Sequence, residues 1–141
     1  MMDDKRSIVN QIVIRIFGKP IAKKRPKFVR RGTFVHAYNS QETEEGHWIL
    51  TARQQIHERI PQGTPITLQC LFFLPIPKGT SKKKKERMVY HIKKPDLDNL
   101  VKFVKDCLND ELWHDDSQVA ELFARKFYSE EPRTEITVKW G

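Results

Sequence analysis

The chain has 141 residues, of which 38% are hydrophobic and 31% are charged, and this composition fits one compact domain and argues against wholesale disorder. The formal net charge of +8 favours an acidic partner such as nucleic acid. No apolar run approaches the ~20 residues that span a bilayer and no export segment is recognisable, so we expect a cytoplasmic protein without membrane contact.

Short elements are predicted along the first half of the chain. β-branched residues over 8–17 predict a first strand, and apolar pairs on both sides of 31–33 predict a hairpin. Apolar residues at helical spacing from Ser40 to about Arg59 predict a helix with Ser40 as its N-cap and an acidic first turn. Residues 66–74 are predicted to form a buried strand that is closed by prolines.

The second half begins with a strongly basic segment. Residues 78–94 hold eight basic residues and one acidic residue, and we expect a basic, mobile loop there. An apolar stripe predicts a second helix over 97–109, and strands are predicted over 119–128 and 135–140. The expected fold is α+β, a single domain over residues 1–141 with a mixed β-sheet and two principal helices.

Acidic residues are concentrated in one part of the chain. Residues 96–121 contain eight carboxylates and two lysines, whereas cations dominate on both sides. Crowded carboxylates repel one another unless a cation neutralises them, and the basic surround attracts a polyanion. The pattern therefore predicts metal-dependent chemistry on a phosphate backbone.

The first acidic pair stands at the predicted start of the second helix. Pro95 keeps the chain extended, so Asp96 can cap the helix while Asp98 occupies its first turn. The helix dipole and the free N–H groups there keep both carboxylates ionised for a hard divalent cation. Lys102 lies one turn beyond Asp98 and can reach the same phosphate. Taken alone, the pair is better explained by an ordinary capped helix with i,i+4 ion pairs.

Asp115 and Asp116 form a second acidic pair. The preceding helix is about 20 Å long and residues 110–116 can return about 23 Å, so Asp116 can just reach Asp98 within one chain. Because this margin is thin, a partner subunit that supplies Asp116 stays an alternative. We expect His114 to be an exposed neighbour, since hard Mg²⁺ prefers oxygen ligands.

These motifs carry a resemblance to a known family. Asp96-Leu97-Asp98-Asn99-Leu100 with Lys102, followed by Trp113 and Asp115-Asp116-Ser117-Gln118-Val119, resembles the RusA family of Holliday junction resolvases. The early segments Gly18-Lys19-Pro20 and Lys24-Arg25-Pro26 resemble its phage-type branch, which suggests a prophage origin. The resemblance implies a RusA-like fold, metal-binding carboxylates at Asp96, Asp98 and Asp116, a catalytic Lys102, and supporting roles around them for Asp115 and Asn99.

The resemblance also implies an activity. It predicts a nucleoid-associated, Mg²⁺-dependent endonuclease, with Mn²⁺ as an alternative metal, that resolves Holliday junctions in DNA recombination and repair. The metal would activate the attacking water and neutralise charge on the phosphate oxygens. Paired cuts in opposing strands imply a two-fold homodimer. Two alternatives stay open: a nuclease for other branched DNA such as flaps or forks, and a non-catalytic junction-binding protein.

Basic segments on both sides of the acidic region predict DNA backbone contacts that recognise shape and weaken steeply with salt. The predicted contacts are Lys23, Lys24, Arg25, Lys27, Arg30, Arg31, Lys82, Lys83, Lys84, Lys85, Arg87, Lys93 and Lys94. Aromatic residues of the hairpin, namely Phe28, Phe34 and Tyr38, either stack on unpaired bases or pack together. Cys70 and Cys107 lack the spacing of a metal site or disulfide framework and are expected to be reduced and buried.

Overall fold

A mixed β-sheet with two helices packed on one face organises the chain, whose computed structural model describes residues 9–25, 27–38 and 41–141. This confirms the predicted α+β class. The elements in chain order are β1 (Asn10–Phe17), β2 (Lys27–Arg31), β3 (Phe34–Tyr38), α1 (Glu42–Arg53), β4 (Ile66–Pro75), α2 (Lys82–Lys85), α3 (Leu97–Leu108), a 3₁₀ turn (Asp116–Gln118), β5 (Val119–Ser129) and β6 (Arg133–Trp140).

The sheet has the strand order β1-β6-β4-β5. Strands β4 and β5 are parallel, whereas β6 is antiparallel to both β1 and β4. Since parallel strands cannot be joined by a tight turn, the chain crosses back along the sheet between them, and α3 forms part of this crossover. The amino end of α3 therefore follows the carboxyl end of β4, and its carboxyl end leads towards the start of β5.

The predicted hairpin is confirmed as β2 and β3, which form a separate two-stranded sheet. Gly32 lies in its turn with φ +61°, a left-handed conformation that glycine adopts without steric cost.

One hydrophobic core lies between the helices and the sheet. Alternate residues of β4 and the apolar stripe of α3 supply much of it: Ile66, Leu68, Cys70, Phe72, Leu74, Leu100, Val101, Phe103, Val104, Cys107 and Leu108. Trp48 of α1 contacts Phe103 of α3 edge to face, with ring centroids 5.9 Å apart. Both cysteines are free and buried, as expected, and burial raises the pKa of each thiol to about 12.

Helix α1 is shorter than predicted. It begins after Gln41 and ends at Arg53, so the expected extension to about Arg59 is wrong, and the predicted cap Ser40 lies outside the described residues. The amide of Gln55 explains the early end, because it accepts from the backbone N–H of Arg15 and donates to its carbonyl, both at 2.8 Å. These bonds draw the chain to the edge strand β1 and out of the helical path.

The basic segment 78–94 contains two features that the sequence did not predict. Helix α2 is a single turn of lysines, with the Ser81 hydroxyl accepting from the Lys84 backbone N–H at 3.2 Å. Residues 88–95, here called the strap, then pair with the outer edge of β5 through Tyr128 N–H to Val89 O at 2.9 Å and His91 N–H to Lys126 O at 3.1 Å. Across the described ranges, no helix has the length and apolar character needed to cross a membrane.

An ion-pair cluster fixes the basic segment 19–25 between the two helices. Lys23 Nζ lies 2.7 Å from Glu45 Oε1 of α1 and 3.2 Å from Asp106 Oδ2 of α3, and its backbone N–H donates to Asn99 O. Burial alone would lower the pKa of Lys23, but its hydrogen bonds to both carboxylates outweigh burial and raise it. Lys23 therefore holds α1 and α3 together, which argues against the predicted phosphate contact from this side chain.

We expect Lys23→Met to lower the free energy of unfolding by about 1–3 kcal/mol, because it leaves two carboxylates without their shared cation. Urea unfolding at pH 7 measures this change. Lys24→Met is the matched control, since Lys24 Nζ pairs with Glu44 at 3.4 Å on the surface and such exposed pairs contribute about 0–1 kcal/mol. Equal losses for both variants would contradict a structural role for Lys23.

Candidate active site

The first acidic pair is open to solvent at the amino end of α3. Asp96 is the N-cap residue, as predicted, with an extended backbone, but its side chain makes no capping hydrogen bond. Asp96 and Asp98 are both exposed, and so is Lys102 one turn further along the helix. The helix dipole favours negative charge at this end. At the amino end of α3, two carboxylates and one ammonium group are therefore available to a ligand.

A lysine of the sheet fixes the backbone that leads to Asp96. Lys126 Nζ on β5 donates to the carbonyl of Lys93 and to that of Pro95, both at 2.7 Å. The peptide bond between Lys94 and Pro95 is cis. Sequence reasoning missed Lys126, because nothing around it on β5 distinguishes it from any other strand lysine.

The second acidic pair is built as a compact capped turn. The Asp115 carboxylate accepts from the backbone N–H of Ser117 at 2.9 Å and from its hydroxyl. These hydrogen bonds lower the pKa of Asp115. The buried Gln118 side chain closes the capping box by accepting from the Asp115 N–H at 3.1 Å, and its amide donates to the carbonyls of Pro61 and Thr64. Asp115 thus holds the turn in place, and its predicted supporting role around the metal-binding carboxylates stays a prediction.

Asp116 is half-buried beside the later turns of α3. Its Oδ1 accepts from Trp113 Nε1 at 2.8 Å. Burial raises its pKa, whereas the Trp113 hydrogen bond and the charge of Lys105 act in the opposite direction.

The charge of Lys105 acts on the Asp116 carboxylate, which relates this carboxylate to the later turns of α3. Asp98 and Lys105 are seven residues apart, which is roughly 10 Å along the helix axis on nearly the same face.

The side chains present at the site determine which metal ion could bind there. In residues 9–25, 27–38 and 41–141, no group of three or more His, Cys, Asp or Glu side chains is arranged to hold an ion. The exposed carboxylates of Asp96 and Asp98 nevertheless fit Mg²⁺, which is commonly bound by one or two carboxylates together with substrate phosphates.

His114 is half-buried, not exposed as expected, and its backbone N–H donates to Gln118 Oε1 at 3.0 Å.

Exposed cations lie around the first acidic pair. A groove of about 390 Å³ next to Asp96 is lined by Lys19, Lys24, Gln41, Glu44 and Pro95, among others. Of the predicted DNA contacts, those with exposed side chains are Lys24, Arg25, Arg30, Lys82, Lys83, Lys84, Lys85, Arg87, Lys93 and Lys94. The side chains of Lys27, Arg31, Phe34 and Tyr38 lie outside the description, while Phe28 is 69% exposed and so does not pack into a hairpin core.

Comparison with known proteins adds an independent observation. The family model described as Endodeoxyribonuclease RusA matches residues 18–139. The chain is 38% identical over 136 residues to the uncharacterized protein YqaN of Bacillus subtilis (strain 168), covering 91% of this chain and 95% of that protein. It is 29% identical over 121 residues to the crossover junction endodeoxyribonuclease rusA of Lactococcus phage r1t, covering 85% of this chain and 82% of that protein.

We expect Asp116→Asn to be at least as stable as the parent chain at pH 7 in EDTA. Burial raises the Asp116 pKa, so the stability contributed by its neutral form is present at low pH and is lost as pH rises through the folded-state pKa. The neutral side-chain amide of asparagine avoids this loss, and its oxygen can still accept the hydrogen bond from Trp113 Nε1. Urea unfolding at several values between pH 4 and pH 8 should show the advantage shrinking towards the acid end.

Asp115→Asn is the matched control with the opposite sign. The pKa of Asp115 is lowered by Ser117, so its contribution is present above the unfolded-state pKa and is lost as pH falls. We expect this variant to be less stable than the parent at pH 7. A clear loss of stability in both variants would contradict the assignment for Asp116.

Proposed function

Because the chain belongs to the endodeoxyribonuclease RusA family, we propose that it hydrolyses phosphodiester bonds in branched DNA and resolves four-way junctions in a Mg²⁺-dependent reaction. The observation that carries the proposal is the pair of exposed carboxylates, Asp96 and Asp98, at the amino end of α3 with Lys102 one turn away. This arrangement lies within the region that the family model matches. A helix start built only for stability would use the Asp96 carboxylate as a cap, and here that carboxylate makes no such bond.

Each side chain of the site has a separate role in the proposed reaction. Asp96 and Asp98 would hold Mg²⁺, which is commonly bound by one or two carboxylates together with substrate phosphates. A bound Mg²⁺ would supply charge neutralisation on the phosphate and activation of a water molecule. Lys102 would place its ammonium group against the phosphate oxygens, where negative charge grows in the transition state.

The third predicted ligand, Asp116, joins this site either from its own chain or from a partner subunit. Mixed dimers of Asp98→Asn and Asp116→Asn chains separate the two arrangements. A site assembled within one chain is defective in both subunits and predicts no cutting. A site assembled across the interface leaves one intact set of carboxylates and predicts nicking.

The groove beside Asp96 suggests a path for the DNA strand. Lys19 and Lys24 stand on it, and Lys93 and Lys94 are exposed on the strap that leads to the site. Contacts of this kind neutralise phosphates without reading bases, so they support recognition of DNA shape. The α2 lysines would extend the same positive surface.

A second copy of the chain is proposed to bind the sheet face that carries no helix, here called the open face. Three rings stack across it: Phe127 lies 5.4 Å from both Phe73 and Tyr90, and Arg133 covers Phe73 at 3.9 Å. Phe123 on the same face is 57% exposed. A duplicate face is a better partner than DNA, because Glu135 offsets the positive charge there through its pairs with Arg133 at 2.8 Å and Arg15 at 3.6 Å. Such a dimer would carry the two sites that paired cuts need.

We expect Asp98→Asn to lower junction cleavage by about 10²–10³-fold or more while junction binding stays within about twofold. The assay uses synthetic four-way junctions beside flaps, forks and linear duplex, with MgCl₂ and with EDTA. Asp110→Asn is the matched control, since Asp110 is exposed with φ +67°, a conformation that asparagine tolerates. Full cleavage by the Asp98 variant would overturn the catalytic proposal, and preferred cutting of flaps or forks would reassign the substrate.

We expect Phe123→Glu to convert the protein from dimer to monomer, because it places a charge in the centre of the proposed apolar contact. Sedimentation velocity measures the oligomeric state, and a supercoiled cruciform plasmid distinguishes nicking from paired cuts. Leu50→Glu is the matched control, as Leu50 is 55% exposed on α1, away from the open face. A Phe123 variant that remains dimeric would exclude this face as the interface.

A further inference from the structure

We propose that Lys126 is a positioning residue for the acidic site, one that sets the direction of the Asp96 carboxylate without touching the substrate. This inference rests on the proposed function, since it assigns Lys126 to the same metal-binding end of α3. Neither the sequence motifs nor the family resemblance gives this lysine a role.

The hydrogen bonds of Lys126 carry the inference. Its ammonium group donates to Lys93 O and Pro95 O, both at 2.7 Å, and Pro95 directly precedes Asp96. Hydrogen bonds from a charged donor are shorter and stronger than those between neutral groups. Two carbonyls on one ammonium group fix the orientation of the chain segment between them. The peptide plane between Pro95 and Asp96, from which the Asp96 side chain departs, is then set relative to β5.

Other contacts of the strap do not reach as far as the site. Its backbone pairing with β5, through Val89 and His91, ends at His91. Ile92 is 86% exposed, and Lys93 and Lys94 are exposed as well, so apolar burial does not fix this stretch. Among the hydrogen bonds that the structure describes between 92 and 95, those of Lys126 connect the stretch to the sheet.

Lys126 supports the backbone that carries a proposed metal-binding carboxylate. Removing a residue that orients a metal ligand typically lowers the affinity of the protein for the metal by about 10–100-fold. The rest of the fold anchors Asp98 through the packing of α3, whereas Asp96 precedes the helix and its own side chain makes no cap bond. The backbone of Asp96 is fixed from the helix side by its own carbonyl, which accepts from Leu100 N–H at 3.2 Å, and from the preceding side by the Lys126 hydrogen bond to Pro95 O.

The test measures Mg²⁺ binding directly, without DNA and without turnover. Amide signals of residues 96–99 are followed by two-dimensional NMR during a MgCl₂ titration of the metal-free protein. For Lys126→Met we expect the dissociation constant to rise by about tenfold or more, while signals elsewhere keep their positions. Lys126→Arg retains a charged donor and should stay within about threefold of the parent. Cleavage should fall in kcat for the methionine variant, with junction binding unchanged.

The outcomes are distinguishable. Mg²⁺ affinity and kcat within twofold of the parent for Lys126→Met would overturn the inference and leave the proposed function standing. A parent chain that binds Mg²⁺ but cuts no branched DNA would refute the proposed function, and the titration would still decide the role of Lys126. If the methionine variant does not fold, Lys126→Gln replaces it. Its neutral amide lacks the charge and the reach of the ammonium group, so the same rise in the dissociation constant is expected, and an affinity within twofold of the parent would overturn the inference.

Discussion

The packing of α3 against the sheet is the contact on which the site depends. Strands β4 and β5 are parallel, so the chain has to return along the sheet between them, and the buried stripe of α3 holds that return in place. The positions of both acidic pairs follow from it. Asp96 and Asp98 stand where the chain enters α3, and Asp116 stands where it leaves for β5. Loss of this packing would disperse all three carboxylates at once.

The positive charge of the chain serves two different purposes. Lys23 and Lys126 are committed to the protein itself, the first to two carboxylates between helices and the second to two carbonyls of the strap. Lysines 82–84 and those at 93 and 94 are exposed and remain available to phosphates, whereas Lys85 pairs with Glu130 at 3.1 Å. A cation count from composition merges these groups. The structure separates the two groups by their binding partners and their burial. The number of counterions released on DNA binding should therefore follow the number of exposed cations.

Local sequence predicted most elements, because strand alternation and the apolar stripe of α3 are local patterns. The end of α1 was missed, since the Gln55 bonds that draw the chain away reach forty residues back to Arg15. Lys126 was missed for the same reason, as its acceptors are about thirty residues away. The turn at Asp115 was readable in principle, because an acid followed three residues later by glutamine is a capping-box pattern. Charge clustering found the acidic residues, but the crossover that relates the two acidic pairs is a long-range feature that local patterns do not show.

Both lateral borders of the sheet are covered in part. On β1, the Gln55 amide takes the outward hydrogen-bonding groups of Arg15, and on β5 the strap pairs with Lys126 and Tyr128. Exposed strand edges are the places where proteins add foreign strands and grow into fibres. Growth by strand addition is blocked at these positions, which leaves fewer places along the sheet where an open-ended polymer could start.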